Sequence, residues 1–259
     1  MKSSVHANQV PAIALAWNKI SQVFNHCVLH PCLGLLVDIR GGTFEIDDCK
    51  FFVPTDMTTI GWRGACCWKG SYEADERGLV KQFLLPDDRV VELGACLGVV
   101  SCTTNKLLKN RAQHLVVEAN PFLIPWLFRN REANNAGFIV EHCAVGKPPE
   151  VTFFVNPAVI VEGSTQQKTG AGFRLPSRSL TELNERYGPF NTLIMDIEGA
   201  EGDVLEEAQE LLPNYRLAII EFHDWIIGET KAAACRKILE KSGLRLVSKS
   251  GFTEAWQRG

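Results

Sequence analysis

From residue 89 onward the chain alternates between short, almost wholly apolar runs and longer stretches with apolar residues at helical spacing. The runs "RVVELGA", "HLVVEAN", "FIVEHCAVG", "FNTLIMDIEGAE" and "RLAIIEFHD" predict strands, because short apolar runs bounded by turn residues suit strands buried on both faces. Between them, residues 98 to 109, a stretch opened by Pro121 and ending near Gly137, "SLTELNERYG", residues 201 to 212 and residues 229 to 242 predict helices. Ser179 with Glu182 three residues on forms a capping box, and Pro213 stops the helix before it. "EVTFFVN" fits an extra edge strand, and "LRLVSKS" with "TEAWQRG" a terminal pair. Strands alternating with helices predict an α/β fold with a parallel sheet covered on both faces. Ligands of such sheets sit at the carboxyl ends of the strands, at the switch point.

The first third reads differently. Residues 11 to 30 predict a helix begun by Pro11, with Ile13, Ala16, Ile20, Val23 and Phe24 apolar, and ended by Pro31. "LLVDIRGGTFEIDDCKFFVP" predicts a hairpin turning at Gly41-Gly42. "SYEADERGLVKQFLLP" predicts a helix up to Pro86. With no phosphate loop or catalytic signature, residues 1 to 85 are expected to form a cap of helix, hairpin and helix. Residues 86 to 259 then form the main domain.

Composition narrows the function classes. A chain of 259 residues with 46% hydrophobic and 22% charged residues can bury a sizeable core. The net charge of -3 carries no basic excess, so no nucleic-acid partner is expected. The nine cysteines lack zinc-ligand spacing and suit reduced, mostly buried thiols. Asp196, Glu198, His223 and Asp224 carry oxygen and imidazole groups that could bind a divalent ion, but no motif spacing demands one, and no metal site is expected. The first twenty residues carry no convincing signal-peptide core. No run approaches the ~18 apolar residues of a membrane span, so a cytoplasmic chain without a membrane partner is expected. No feature of the sequence sets an oligomeric state.

Candidate chemistry gathers at strand ends. Glu92, Glu118, Asp196, Glu198 and His223 each fall where an apolar strand stops. One such residue is ordinary solvation, but a parallel sheet brings all five ends together. The turn after the first of these strands, "ELGACLG", reads E-x-G-x-x-x-G. A dinucleotide fingerprint needs glycine where Cys96 stands, so that backbone can approach a pyrophosphate. Glu92 also repels a pyrophosphate and attracts an ammonium. Gly94 permits a sharp turn, and Gly98 lets a helix start close to a ligand. Glu118 ends the next strand, where a carboxylate can accept both hydroxyls of a ribose. A ligand with a cationic amino group and a ribose, S-adenosylmethionine, fits this set better than NAD.

These motifs carry a family resemblance. "KGSYEADE", "ELGACLGVVS", "VVEANP", "EHCAVG", "RSLTEL", "LIMDIEGAEGDVLEEA" and "IIEFHD" resemble the FkbM-type S-adenosylmethionine-dependent methyltransferases over most of residues 69 to 225. The most specific element is "DIEGAE", a complete match to D-[VI]-E-G-A-E. The first motif departs from D-[VI]-G-A-N-x-G: Glu92, Leu93 and Cys96 replace the commoner Asp, Val and Asn. The resemblance implies a Rossmann-like sheet of seven strands whose last strand is antiparallel. It also implies methyl transfer to a hydroxyl of a sugar or natural product, a small-molecule acceptor. By the same resemblance Glu92, Gly94, Ala95, Gly98 and Ser101 surround the methionine part of the cofactor. Glu118 and Ala119 serve the ribose and adenine edge, and Cys143 and Ala144 lie near the adenine.

Each remaining candidate has a plainer reading. Asp196 and Glu198, two apart on an extended chain, point to one side, so one can bind while the other takes a proton. Alternatively Glu198 only favours the helix dipole that follows. His223, with a pKa near neutrality, suits a general base, or it is satisfied by structural hydrogen bonds. Tyr72 and Glu73 in "GSYE" sit at the cofactor mouth or merely start a helix. The segment 156 to 176, rich in Gly, Ser, Thr and Gln, suits a mobile lid shaping the acceptor pocket together with the cap. An NAD-dependent oxidoreductase, a nucleic-acid base methyltransferase and a non-catalytic relic of the fold are the competing readings. Cys96 argues against the first. "DIEG" in place of an Asn/Asp-Pro-Pro-aromatic turn argues against the second, and the full set of strand-end polar groups against the third.

Overall fold

The computed structural model describes residues 24–147, 149–156, 160, 163–166 and 170–259. The predicted helix over residues 11 to 30 lies mostly outside these, as do parts of the predicted lid. Helix α1 (His30–Ile39) follows a single π-type stretch, Asn25–Leu29. Pro31 therefore opens a helix instead of ending one, in the first turn, where its missing N–H costs nothing. Gly41 and Gly42 terminate α1 with φ of 74° and 73°. The hairpin of β1 (Thr43–Ile46) and β2 (Cys49–Phe52) turns instead at Asp47-Asp48, with φ of 53° and 55°. Two consecutive left-handed residues match the twist of a tight hairpin, and Asp tolerates that conformation. Arg77 and Lys81 clamp the Asp47 carboxylate from α3 (Ala74–Phe83), which follows α2 (Ile60–Cys67).

Then come β3 (Val90–Leu93), α4 (Val99–Leu107), β4 (His114–Glu118), α5 (Ile124–Ala133) and β5 (Ile139–His142). The short strands β6 (Ala144–Val145), β7 (Glu150–Val155), β8 (Gly163–Ser164) and β9 (Ala171–Arg178) follow. After α6 (Leu180–Tyr187) come β10 (Thr192–Met195), α7 (Glu201–Glu207), β11 (Leu217–Glu221), α8 (Asp224–Ile227), α9 (Glu229–Lys241), β12 (Leu244–Ser250) and β13 (Thr253–Arg258). The predicted capping box of Ser179 and Glu182 is formed at α6.

The main sheet has seven strands in the order β12-β13-β11-β10-β3-β4-β5. All pairings among β11, β10, β3, β4 and β5 are parallel, while β13 is antiparallel to both of its neighbours. This is the Rossmann-like methyltransferase arrangement, last strand included. Alternate residues of each strand face opposite layers. Val91, Leu93, Leu115, Val117, Leu193 and Ile220 pack on α6, α7 and α9. Val90, Val116, Ile194 and Ile219 face α3, α4 and α5. The hairpin belongs to the second layer, because Phe44 and Phe51 share one apolar cluster with Val99, Val116 and Leu127. "EVTFFVN" does not extend the main sheet. As β7 it pairs with β8 and β9 in a separate four-stranded sheet, so part of the predicted lid is strand. The chain turns from one side of the sheet to the other between β3 and β10, and the ends of those strands frame the site.

Candidate active site

A cleft opens at these strand ends. Gly94, Cys96, Glu118, Ala119, Cys143 and Ala144 line one wall, and Asp196, Ile197 and Glu198 the other. Phe153, Gly163 and Thr165 reach it from the small sheet.

The glycine turn is built by close approach. Gly94 has φ of 86°, and a Cβ there would lie 1.6 Å from the Asp196 carbonyl oxygen. No larger residue allows the β3 turn to lie against the end of β10. Cys96 is also left-handed, φ 49°, and its Sγ meets the Tyr72 hydroxyl at 3.3 Å.

Glu118 is the best-held carboxylate of the cleft. Its two oxygens accept the backbone N–H groups of Cys96 and Asn120, each at 2.6 Å. The side chain ties the glycine turn to the end of β4 while lining the cleft. Burial pushes its pKa up to about 7 against the opposing pull of those N–H donors. Asn120 is buried and fixes the far rim, donating from Nδ2 to the Ile160 carbonyl at 2.7 Å. Its place in "VVEANP" was the one sequence signal for it.

Several expected contacts are not in the cleft wall. Glu92 and Ser101 are to be corrected: Ser101 Oγ donates to Glu92 Oε1 at 2.5 Å, and Glu92 Oε2 meets His114 Nε2 at 3.1 Å. Glu92 is 1% exposed, because the alternation of β3 turns it beneath α4. Ala95 is packed in the core, and Gly98 opens α4 with φ of 79° against Leu127. Neither lines the cleft. Glu73 has left-handed backbone, φ 50°, and its carboxylate accepts the Val100 N–H near the start of α4. Burial first, and then Glu92, push its pKa up to about 8.

The opposite wall is acidic. Asp196 ends β10, and burial and then Glu221 push its pKa well up. Glu198 follows with φ of 51°, an uncommon value for a non-glycine residue that costs about 1–3 kcal/mol. Ser164 Oγ donates to its carbonyl at 2.8 Å, so β8 clasps the "DIEG" turn. Glu201, fully buried, closes that turn by accepting the Gly199 N–H at 3.0 Å.

His223 is not the free base expected of it. It is 3% exposed and absent from the cleft lining. Its Nδ1 bonds Glu201 Oε1 at 2.6 Å, and Nε2 lies 3.5 Å from both Asp196 and Glu198. Burial opposes its charge, but the Glu201 bond and then Asp196 outweigh it, and the pKa rises to about 9. The ring lies behind the acidic pair. Its proximity to Asp196 and Glu198 was legible in "DIEGAE" and "IIEFHD"; its depth and its bond to Glu201 were not.

Glu118, anchored on two N–H donors and open to the cleft, suits two ribose hydroxyls. Val117, Leu123, Phe153 and Val145 give the same wall the apolar surface a purine needs. The residues present thus fit an adenosyl cofactor, and with the seven-stranded sheet they define a protein of the S-adenosylmethionine-dependent methyltransferase class. Residues 92–246 match the family described as Methyltransferase FkbM domain, and the chain belongs to that family.

Among solved structures the chain is similar to precorrin-6y C5,15-methyltransferase from Geobacter metallireducens, at 13% identity over 83% of this chain and 98% of that one, TM-score 0.47. It is similar to Aeropyrum pernix fibrillarin with natively bound S-adenosyl-L-methionine, at 13% identity over 70% and 72% of the two chains, TM-score 0.41. It is also similar to a methyltransferase FkbM from Methylobacillus flagellatus, at 15% identity and TM-score 0.46, covering 76% of this chain and 52% of that one. No curated protein matches the chain by sequence. Among the described residues, no helix is long and apolar enough to cross a membrane.

Proposed function

We propose that the enzyme methylates a hydroxyl group of a small molecule and that Glu198 accepts the hydroxyl proton. The observation that carries this reading is the strained "DIEG" turn, which sets a carboxylate in the cleft wall opposite Glu118. S-Adenosylmethionine, when bound, supplies a methyl group already activated on a sulfonium. What remains for the chain is to orient the acceptor and remove its proton. Glu118 would hold the ribose, and Gly94 keeps the floor of the cleft at backbone height. Glu198 has a side chain 36% exposed, the most exposed of the carboxylates around His223. His223 acts as a positioning residue: its ring lies against both Asp196 and Glu198, and Glu201 holds His223. The absence of a basic excess supports a small acceptor over nucleic acid.

The test is transfer of a labelled methyl group from S-adenosylmethionine to a panel of sugars, phenols and other hydroxylated compounds. Glu198→Gln keeps the shape and removes the charge. It should lower turnover ~10²- to 10⁴-fold while affinity for S-adenosylhomocysteine stays near that of the parent. Full activity in that variant, or label found only on nitrogen, would refute the proposal.

A further inference from the structure

Beside the cleft lies a set of acids that the methyl-transfer reading leaves unexplained. Glu76 on α3, Asp196 at the end of β10 and Glu221 at the end of β11 each offer a carboxylate oxygen within 4.8 Å of the other two. In "KGSYEADE" Glu73 precedes α3 and Glu76 stands in its first turn. Packing of α3 over β11 carries that turn to the strand ends.

Glu76 is 3% exposed, and among the described residues no group donates a hydrogen bond to it or forms an ion pair with it. Asp196 Oδ1 is buried without a hydrogen-bond partner, its ionic neighbour being His223 Nε2 at 3.5 Å. Glu221 accepts from Thr253 Oγ1 at 3.4 Å and lies 4.0 Å from His223 Nε2. No lysine or arginine among the described residues pairs with any of the three. Burial raises all three carboxyls, and Asp196 and Glu221 add to the rise at Glu76. Buried carboxylates this close call for a positive partner, and one imidazolium shared with Glu198 and Glu201 does not satisfy them.

We propose that Glu76, Asp196 and Glu221 bind one hard divalent cation of the magnesium, manganese or calcium class. The donor set is oxygen only, which selects these ions over zinc or copper. Three oxygens at the full 4.8 Å separation lie about 2.8 Å from a common centre, so a calcium ion with bonds of about 2.4 Å needs each to draw in by roughly 0.4 Å. Magnesium or manganese, at about 2.1 Å, needs a contraction of roughly 0.7 Å. Asp196 also lines the cleft, so the ion lies at its edge, where an acceptor hydroxyl can complete the coordination and become more acidic. That consequence rests on the methyl-transfer reading; cation binding does not.

The test uses the full chain, stripped with a chelator and titrated with Mn²⁺ without cofactor or acceptor. Free ion is followed by electron paramagnetic resonance. One ion should bind per chain, compete with Ca²⁺ or Mg²⁺, and release protons, since the carboxyls must ionise to bind. Glu76→Gln and Glu221→Gln should each weaken Mn²⁺ binding ~10- to 100-fold. Affinity for S-adenosylhomocysteine should change little. If Glu76→Gln does not fold by circular dichroism, Glu221→Gln and Asp196→Asn carry the test.

The proposal is overturned by a folded chain that binds S-adenosylhomocysteine but shows no saturable uptake up to about 10 mM Mn²⁺, beyond the weakest calcium modules. Unchanged Mn²⁺ affinity in the glutamine variants also overturns it. So does displacement of Mn²⁺ by S-adenosylhomocysteine, which would assign the acids to the cofactor's ammonium. Mn²⁺ uptake without any binding of S-adenosylhomocysteine would sink the methyltransferase reading and leave the cation site standing.

Discussion

Glu118 offers a pH test of cofactor binding that depends on its buried setting. The perturbation is pH between 6 and 8, with Glu118→Gln as control. In the free protein, burial raises this carboxyl from 4.5 to about 7, so at pH 6 most molecules carry it neutral. A carboxylate accepting two ribose hydroxyls binds better ionised, because charge-assisted hydrogen bonds are the stronger ones. Cofactor binding must then release a proton wherever the free protein still holds one. For a pKa near 7, about one tenth of the molecules are ionised at pH 6 and about nine tenths at pH 8, so affinity should rise ~tenfold and level off above pH 8.

The same shift has the opposite sign for the free fold. A carboxyl whose folded pKa is raised holds more protons folded than unfolded between 4.5 and about 7. Its contribution to stability therefore falls across that window, by about 3 kcal/mol, and is constant above it. Titration calorimetry with S-adenosylhomocysteine at pH 6, 7 and 8, in two buffers of different ionisation enthalpy, reads both affinity and proton release. Glu118→Gln should weaken binding at pH 8 and abolish the pH slope. A flat affinity in the parent, or an unchanged slope in the variant, would show that Glu118 does not carry the ribose. The variant will not be silent for folding. Its amide must turn NH₂ toward the N–H of Cys96 or Asn120, leaving a buried donor unsatisfied at ~1–3 kcal/mol.

His223→Ala strips the positive partner from a fully buried Glu201 and should cost about 3–5 kcal/mol, the usual penalty for breaking a buried ion pair. By scanning fluorimetry that is roughly 6–20 °C in Tm, and a fall under about 2 °C would remove the structural role. Gly94→Ala would put a methyl 1.6 Å from the Asp196 carbonyl at φ of 86° and should prevent stable folding or abolish S-adenosylhomocysteine binding. A folded variant with parent-like affinity would show that the turn is less tight than described.

The strand–helix alternation after residue 89 was legible because strands buried on both faces need continuous apolar runs, and these have no other stable reading at that length. The glycine turn and the acid ending β4 were legible because each restricts chemistry at a single position. The hairpin turn was not, because Gly-Gly and Asp-Asp both tolerate positive φ. Only the clamp of Arg77 and Lys81 on Asp47, from a helix some thirty residues away, selects between them. Glu92, Glu118, Asp196 and Glu198 were visible at strand ends and Glu73 in "KGSYEADE", while Glu76, Glu201 and Glu221 were missed, since burial decides their roles. Glu92 and Glu118 both end or nearly end a strand. Alternation along β3 turns Glu92 under α4 onto Ser101, while Glu118 keeps the cleft. His223 has the sequence of a base, but four carboxylates lie within 4.0 Å of its buried ring and raise its pKa. The order of residues decides which groups exist and on which elements. Their charge states and facing partners come from packing between distant segments, because desolvation and Coulomb forces act through space and not along the chain.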